Sequence, residues 1–210
     1  MPSKYARKQK ENKPSMIYIC CEGEKTEPNY FNGLIDYLKL SEAKVYIIDK
    51  EGGCSSPKHV FEAVETEIKE LKKMRQYLGV EKFWLVMDVD KWNGQLNEVI
   101  AQCHNKKNLF TAISNPCFEV WFLCHYFSKD EILKEADKLT NCTQINIKLK
   151  SNSVPGNYME ICYEKTDIAV ETTKELTKEN DDKSEIPQKI GTYVYKLVEE
   201  IKSLEKNNKS

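Results

Sequence analysis

Apolar and polar positions follow two alternating periods through the first half of the chain. Ile17 to Cys21 (IYICC) is an unbroken apolar run of strand length, and VYIID (45–49), FWLVMD (83–88) and LFTAI (109–113) repeat it. Between these runs the spacing becomes helical. From Pro28 to Leu40, the residues Tyr30, Phe31, Leu34, Ile35 and Leu38 share one face, and Pro28 suits a first turn, where its missing N–H is not needed. Ser56-Pro57 opens a long helix striped by Val60, Phe61, Val64, Ile68, Leu71 and Leu78, and Gln95 to Lys106 forms a shorter one. Strands without polar alternation, separated by helices, predict βαβ crossovers and an α/β fold with a mainly parallel sheet covered on both faces.

The second half carries a different pattern. PCFEVWFLCHYF (116–127) is apolar nearly all round and predicts a buried helix with Glu119 as its one carboxylate. A charged helix, KDEILKEADKL, follows, and then a polar stretch to SNSVPGN that reads as an insertion, lid or substrate-facing arm. Two more helices are expected, Met159 to Lys178 and Pro187 to Lys206, the latter striped by Ile190, Val194, Leu197, Val198, Ile201 and Leu204. The spacer KENDDKSE is solvated and the final EKNNKS frays. This divides the chain into a basic arm (1–15), an α/β core (16–127) and a helical extension packed on that core (128–210).

The chemistry is written at the strand ends. The first strand runs into Glu22-Gly23-Glu24-Lys25-Thr26-Glu27 and the third into Asp88-Val89-Asp90. In open parallel sheets ligands gather beyond the carboxyl ends of the strands, where both signatures fall. Carboxylates crowded there repel one another unless a cation lies between them, and an all-oxygen donor set selects Mg²⁺ or Mn²⁺. Glu119 adds to this, because a lone carboxylate in an apolar helix is costly to bury unless coordinated, paired or hydrogen-bonded. It either completes the acidic site or anchors Asn115 and neighbouring backbone. Lys25, Lys91 and Asn115 are candidate substrate contacts near the acids, the two lysines either as phosphate contacts or as solvated charges. Thr26 reads as a helix N-cap, His125 as a core or boundary histidine, and Trp84, Phe118, Trp121 and Phe122 as core.

Composition narrows the partners. The 32 basic and 33 acidic residues balance, so no global positive field advertises nucleic acid, although a local basic face and a metal can do that work. The arm carries Lys4, Arg7, Lys8, Lys10 and Lys13, either as a solvated tail or as a strap for a phosphate backbone. It is polar and basic, unlike a secretory signal, and no run approaches transmembrane length. The eight cysteines lack Cys-x-x-Cys pairing and zinc spacing, which fits a reducing compartment and a cytoplasmic protein with most cysteines serving as small core residues. EGGCSSP lacks the Gly-Lys-Ser/Thr ending of a P-loop, so the chain shows no ATPase site of its own.

CEGEKTEPNYF (21–31), MDVD (87–90) and SNPCFEVWFLCHYF (114–127), in this order, resemble the signatures of the RloB family, with a weaker extension to GTYVYKLVEEI (191–201). RloB proteins are similar to the Toprim fold of topoisomerases, primases and OLD-type nucleases. The resemblance implies a Toprim-like sheet with Glu22 as metal ligand or general base, Asp88 and Asp90 as metal ligands, and Glu27 as a second acid. The Glu22 to Glu27 loop is one residue longer than the OLD pattern, so Glu24 is an alternative for that role. It also implies a Mg²⁺-dependent nuclease acting on DNA or RNA, tRNA included, in anti-phage defence of the abortive-infection kind, with an AAA-type ATPase partner. A non-cleaving adaptor subunit and a small-nucleotide phosphohydrolase are the alternatives.

Overall fold

The computed structural model describes residues 16–41, 44–50, 55–89, 93–151, 162–178 and 184–206. The basic arm, Asp90, Lys91, residues 51–54 of the Gly-rich loop, 152–161, 179–183 and the last four residues lie outside them.

The expected α/β architecture is present. Strands β1 (Ile17–Cys21), β2 (Val45–Ile47), β3 (Lys82–Asp88), β4 (Leu109–Asn115) and β5 (Gly191–Thr192) form one sheet in the order β2-β1-β3-β4-β5. The first four are parallel, and β5 runs antiparallel to β4 through Ser114 with Thr192 and Asn115 with Gly191. β1 and β3 are buried along their lengths, which is why both read as continuous apolar runs.

The strand pleat sorts side chains into two cores. Ile17, Ile19, Cys21, Trp84 and Val86 face α1 (Thr26–Tyr37), α4 (Glu119–Tyr126), α5 (Lys129–Lys134), α6 (Cys142–Ser151), α7 (Thr166–Thr177) and α8 (Val194–Lys206). Tyr18, Cys20, Phe83, Leu85 and Met87 face α2 (Pro57–Lys73) and α3 (Asn93–His104). The extension thus packs on the α1 face, and Glu200 of α8 takes the indole N–H of Trp84 at 2.7 Å and pairs with Lys82.

Several boundaries differ from expectation. α1 begins two residues early, with Lys25 at the N-cap position making no side-chain cap, so Thr26 is the first helical residue and not the cap. α2 stops at Lys73, and Leu78 is 51% exposed in a turn. Gly79 is left-handed there (φ 77°), and Glu81 accepts the N–H groups of Leu78, Gly79 and Val80. α4 opens at Glu119, not Pro116. The charged helix breaks into α5 and a 3-10 turn, Ala136–Lys138. In the stretch read as polar and irregular stands α6, which buries Ile145 and Leu149 one turn apart. The final helix starts at Val194, because Gly191 and Thr192 pair with β4 instead.

Candidate active site

The topology creates one crevice. α1 leaves β1 on one face of the sheet toward β2, whereas α3 leaves β3 on the other face toward β4, so the chain diverges beyond the carboxyl ends of β1 and β3. Glu22 follows β1 and Asp88 ends β3. The strand ladder carries through to Glu22, whose N–H donates to Val86 O at 2.9 Å. Its carboxylate then turns across, and Glu22 Oε2 accepts the Asp88 N–H at 3.0 Å.

Two helices bring further acids to the same edge. Glu27 lies in the first turn of α1 and Glu119 opens α4. Glu22 and Glu27 are each 7% exposed, whereas Glu24 and Lys25 are exposed. Helix phase therefore selects Glu27, and not Glu24, as the second acid of the cluster. Gly23 makes room for it, since a Cβ there would overlap Glu27 Oε2.

The acids feel one another. Burial raises the proton affinity of Asp88 well above that of an ordinary aspartate, and Glu27, Glu22 and Glu119 raise it further, against a hydrogen bond from the Phe118 N–H. Glu27 is raised by burial and by Glu119 and Glu22, with its own N–H and Lys50 pulling the other way. Asp88 Oδ1 is sealed from solvent and has no hydrogen-bond partner. A buried, unpartnered carboxylate oxygen facing three other acids is the donor chemistry of a hard divalent cation. Glu22, Glu27, Asp88 and Glu119 therefore fit such an ion, though no three of them bring oxygens within 4.8 Å of one another among the described residues.

The group that does approach so closely is Cys117, Glu119 and Cys142. Its two cysteines are joined in a disulfide across 25 residues, with Cα atoms 5.8 Å apart. Bonded sulfurs are not thiolate ligands, so their role is to tie the turn presenting Phe118 N–H and Glu119 to the start of α6. This pairing sets Cys117 and Cys142 apart from the majority of cysteines, which were read as small core residues. Cys20, Cys21, Cys103, Cys124 and Cys162 are buried thiols, as expected of small core residues.

The other candidates separate. Asn115 sits at the sheet edge, but its amide donates to Pro187 O at 2.6 Å and anchors the β5 side of β4. Asp90 and Lys91 fall outside the described residues. His125 is buried with Nδ1 donating to Trp121 O at 2.8 Å, and burial drops its pKa to about 4, so it is a neutral core histidine. One residue escaped notice: Lys50, three positions past β2, donates from Nζ to the Glu22 carbonyl. The signal was a cation just beyond the VYIID strand, at the edge where the acids gather. Beside it a cleft of about 430 Å³ is lined by Gly23, Glu24, Pro28, Asp49 and Lys50, among others.

The family model described as RloB-like protein matches residues 17–201, most of the chain, which therefore belongs to the RloB-like family. Neither a curated protein nor a solved structure matches it. No helix among the described residues is long and apolar enough to cross a membrane.

Proposed function

We propose that this RloB-like chain is a Mg²⁺- or Mn²⁺-dependent phosphodiesterase that cuts DNA or RNA. The observation that carries the reading is the meeting of Glu22, Glu27, Asp88 and Glu119 at the switch point, with Asp88 Oδ1 buried and unpartnered. Asp88, Glu27 and Glu119 would hold the ion, with Asp90 following Asp88 in sequence. When bound, a divalent cation there activates water and neutralises charge gathering on the phosphoryl oxygens.

The chain's own residues do the rest. Glu22 holds the end of β3 through the Asp88 N–H, and Phe118 N–H fixes the Asp88 carboxylate from the opposite side. Burial, then Glu119 and Glu22, raise the proton affinity of Glu27, which would serve as a metal ligand or else as acceptor of the attacking water's proton. The cleft beside Lys50 is of the size of a small-ligand pocket, which favours as second reading a phosphohydrolase acting on single nucleotides.

From the RloB resemblance we further propose an AAA-type ATPase partner that controls the activity, and an anti-phage role in the cytoplasm. Purified protein incubated with Mg²⁺ or Mn²⁺ and plasmid, single-stranded DNA, tRNA or nucleotides tests the activity. Cleavage of a polymer, lost in Asp88→Asn, is expected. Release of phosphate from nucleotides alone would select the second reading, and no metal-dependent hydrolysis of any of them would overturn both.

A further inference from the structure

Four carboxylates attract a divalent cation and repel the substrate that must reach it. A phosphodiester carries its own negative charge, so an approach route needs a fixed positive group on a side that the metal leaves open. Lys50 stands in that position. It follows β2, the neighbour of β1 in the sheet, and its Nζ is held by the backbone carbonyl of Glu22, one of the clustered acids. Its charge reaches into the cluster, lowering the proton affinity of Glu27 against the pull of burial and the other acids. Lys50 also lines the cleft of about 430 Å³, together with Gly23, Glu24, Pro28 and Asp49.

We propose that this cleft, between the carboxyl ends of β1 and β2, seats the phosphoryl group of the substrate and that Lys50 Nζ is the side-chain contact for its non-bridging oxygens. The proposal rests on the reading of the acids as a divalent-metal centre and adds the residue and the surface by which the substrate enters. The ligand class is a phosphate ester, in a strand or in a free nucleotide. Glu24 and Asp49 also line the cleft, so the lysine works against two carboxylates there and its removal leaves an acidic pocket. A cleft of about 430 Å³ has the size of a small-ligand pocket, which points to an unpaired strand as the polymer it admits.

The test compares wild type with Lys50→Met, Lys50→Gln and Lys50→Arg. Binding of a short single-stranded phosphorothioate oligonucleotide and of a nucleoside monophosphate is measured by fluorescence anisotropy and calorimetry, in Mn²⁺ and in EDTA, over a salt series. Mn²⁺ affinity is measured separately by calorimetry. Lys50→Met is expected to weaken oligonucleotide binding about tenfold and to flatten its log-log salt dependence by ~0.7, the loss of one phosphate contact on a single strand. Mn²⁺ affinity stays within about twofold of wild type, a change under half a kcal/mol. Lys50→Arg restores both affinity and slope.

Lys50→Gln keeps a donor for the Glu22 carbonyl without the charge, so it separates tether from contact. If it binds oligonucleotide with wild-type affinity and slope, the proposal is overturned. An equal loss for nucleotide and oligonucleotide assigns the cleft to a single phosphoryl unit, whereas loss for the oligonucleotide alone assigns it to a strand, and both support it. If wild type binds no Mn²⁺ but Lys50→Met still weakens the oligonucleotide in EDTA, the metal reading fails and the Lys50 contact stands.

Discussion

Replacing Asp88 by Asn probes the acidic cluster most directly. In the metal-free protein the charges of Glu27, Glu22 and Glu119 oppose ionisation of the buried Asp88, and at an effective dielectric near 20 a close pair of like charges repels by about 2–4 kcal/mol. The wild type escapes part of this by keeping a proton on the cluster, so the whole sum is not recoverable. Asn removes the charge, keeps an oxygen for the Phe118 N–H, and can turn its NH₂ toward the remaining carboxylates. A gain of about 1–3 kcal/mol is expected in EDTA, and at about 2–4 °C per kcal/mol for a chain of this length the melting temperature rises by roughly 2–12 °C.

The pH dependence fixes the sign. The folded pKa of Asp88 lies above its unfolded value, so the native state binds more protons between the two. Wild-type stability is therefore fully present below the unfolded pKa and falls as pH rises through the folded pKa. The advantage of Asp88→Asn should be largest in alkaline buffer and should close in acid. Saturating Mg²⁺ reverses the order: wild type gains about 2.7 kcal/mol at a hundredfold excess over Kd, and the variant loses most of that gain. The assay is a set of melting curves for both proteins in EDTA and in graded Mg²⁺, from acid to alkaline pH. A variant that is less stable in EDTA at alkaline pH and still responds fully to Mg²⁺ refutes the reasoning, because Asp88 would then be a structural turn residue.

Glu119→Gln preserves volume and one acceptor, so it should stay within ~1 kcal/mol of wild type in thermal denaturation while metal-dependent hydrolysis is lost. Loss of stability and activity together would make Glu119 a structural anchor. Gly23→Ala places a methyl against Glu27 Oε2 and should cost about 1–3 kcal/mol while weakening the Mg²⁺-induced shift, both read from melting curves in EDTA and in Mg²⁺. Reducing the Cys117–Cys142 bond reopens a loop of 25 residues. Loop entropy sets the loss at roughly 3–4 kcal/mol, to be checked by urea denaturation with and without a phosphine reductant.

The parts of the fold legible in the sequence were those where burial dictates residue type. β1 and β3 are buried on both faces, so Ile17 to Cys21 and Phe83 to Met87 carry apolar side chains on each side of the pleat. Their acidic ends stand out against that background. α6 was invisible because a helix lying on the surface with two buried residues, Ile145 and Leu149, has too narrow a stripe to separate from a polar loop. β5 is held to β4 by backbone pairing and by the Ser114 to Thr192 hydroxyl bond at 2.8 Å, neither of which leaves a periodic pattern. Leu78 misled for the opposite reason: it continues the stripe of α2 in sequence while Gly79 and Glu81 shape a turn around it. Glu24 and Glu27 differ in sequence only by offset, and the first turn of α1 decides between them. The Cys117–Cys142 bond joins positions 25 residues apart with no spacing motif to mark them as partners.

The cluster also explains why so much aromatic surface lies under it. Carboxylates that repel must be held from behind, and two of the four arrive on helices. Glu27 rides on α1 and Glu119 on α4, and directly beneath them Tyr30 and Phe31 of α1 meet Phe118 edge-on, with centroids 5.7 and 6.0 Å apart. Tyr30 also packs edge-on against Trp121 and Phe122 of α4. All five rings are buried, and each contributes roughly 2–3 kcal/mol of burial, which exceeds the few kcal/mol that charge repulsion sets against the pair of helices. Phe118 serves both sides, since its ring locks α4 to α1 while its N–H holds Asp88. An apolar interlock close to the acids in sequence holds them beside one another at the sheet edge against their mutual repulsion. The SNPCFEVWF segment therefore reads as a single device, with the apolar residues supplying the rigidity that lets Glu119 face Glu27 and Asp88.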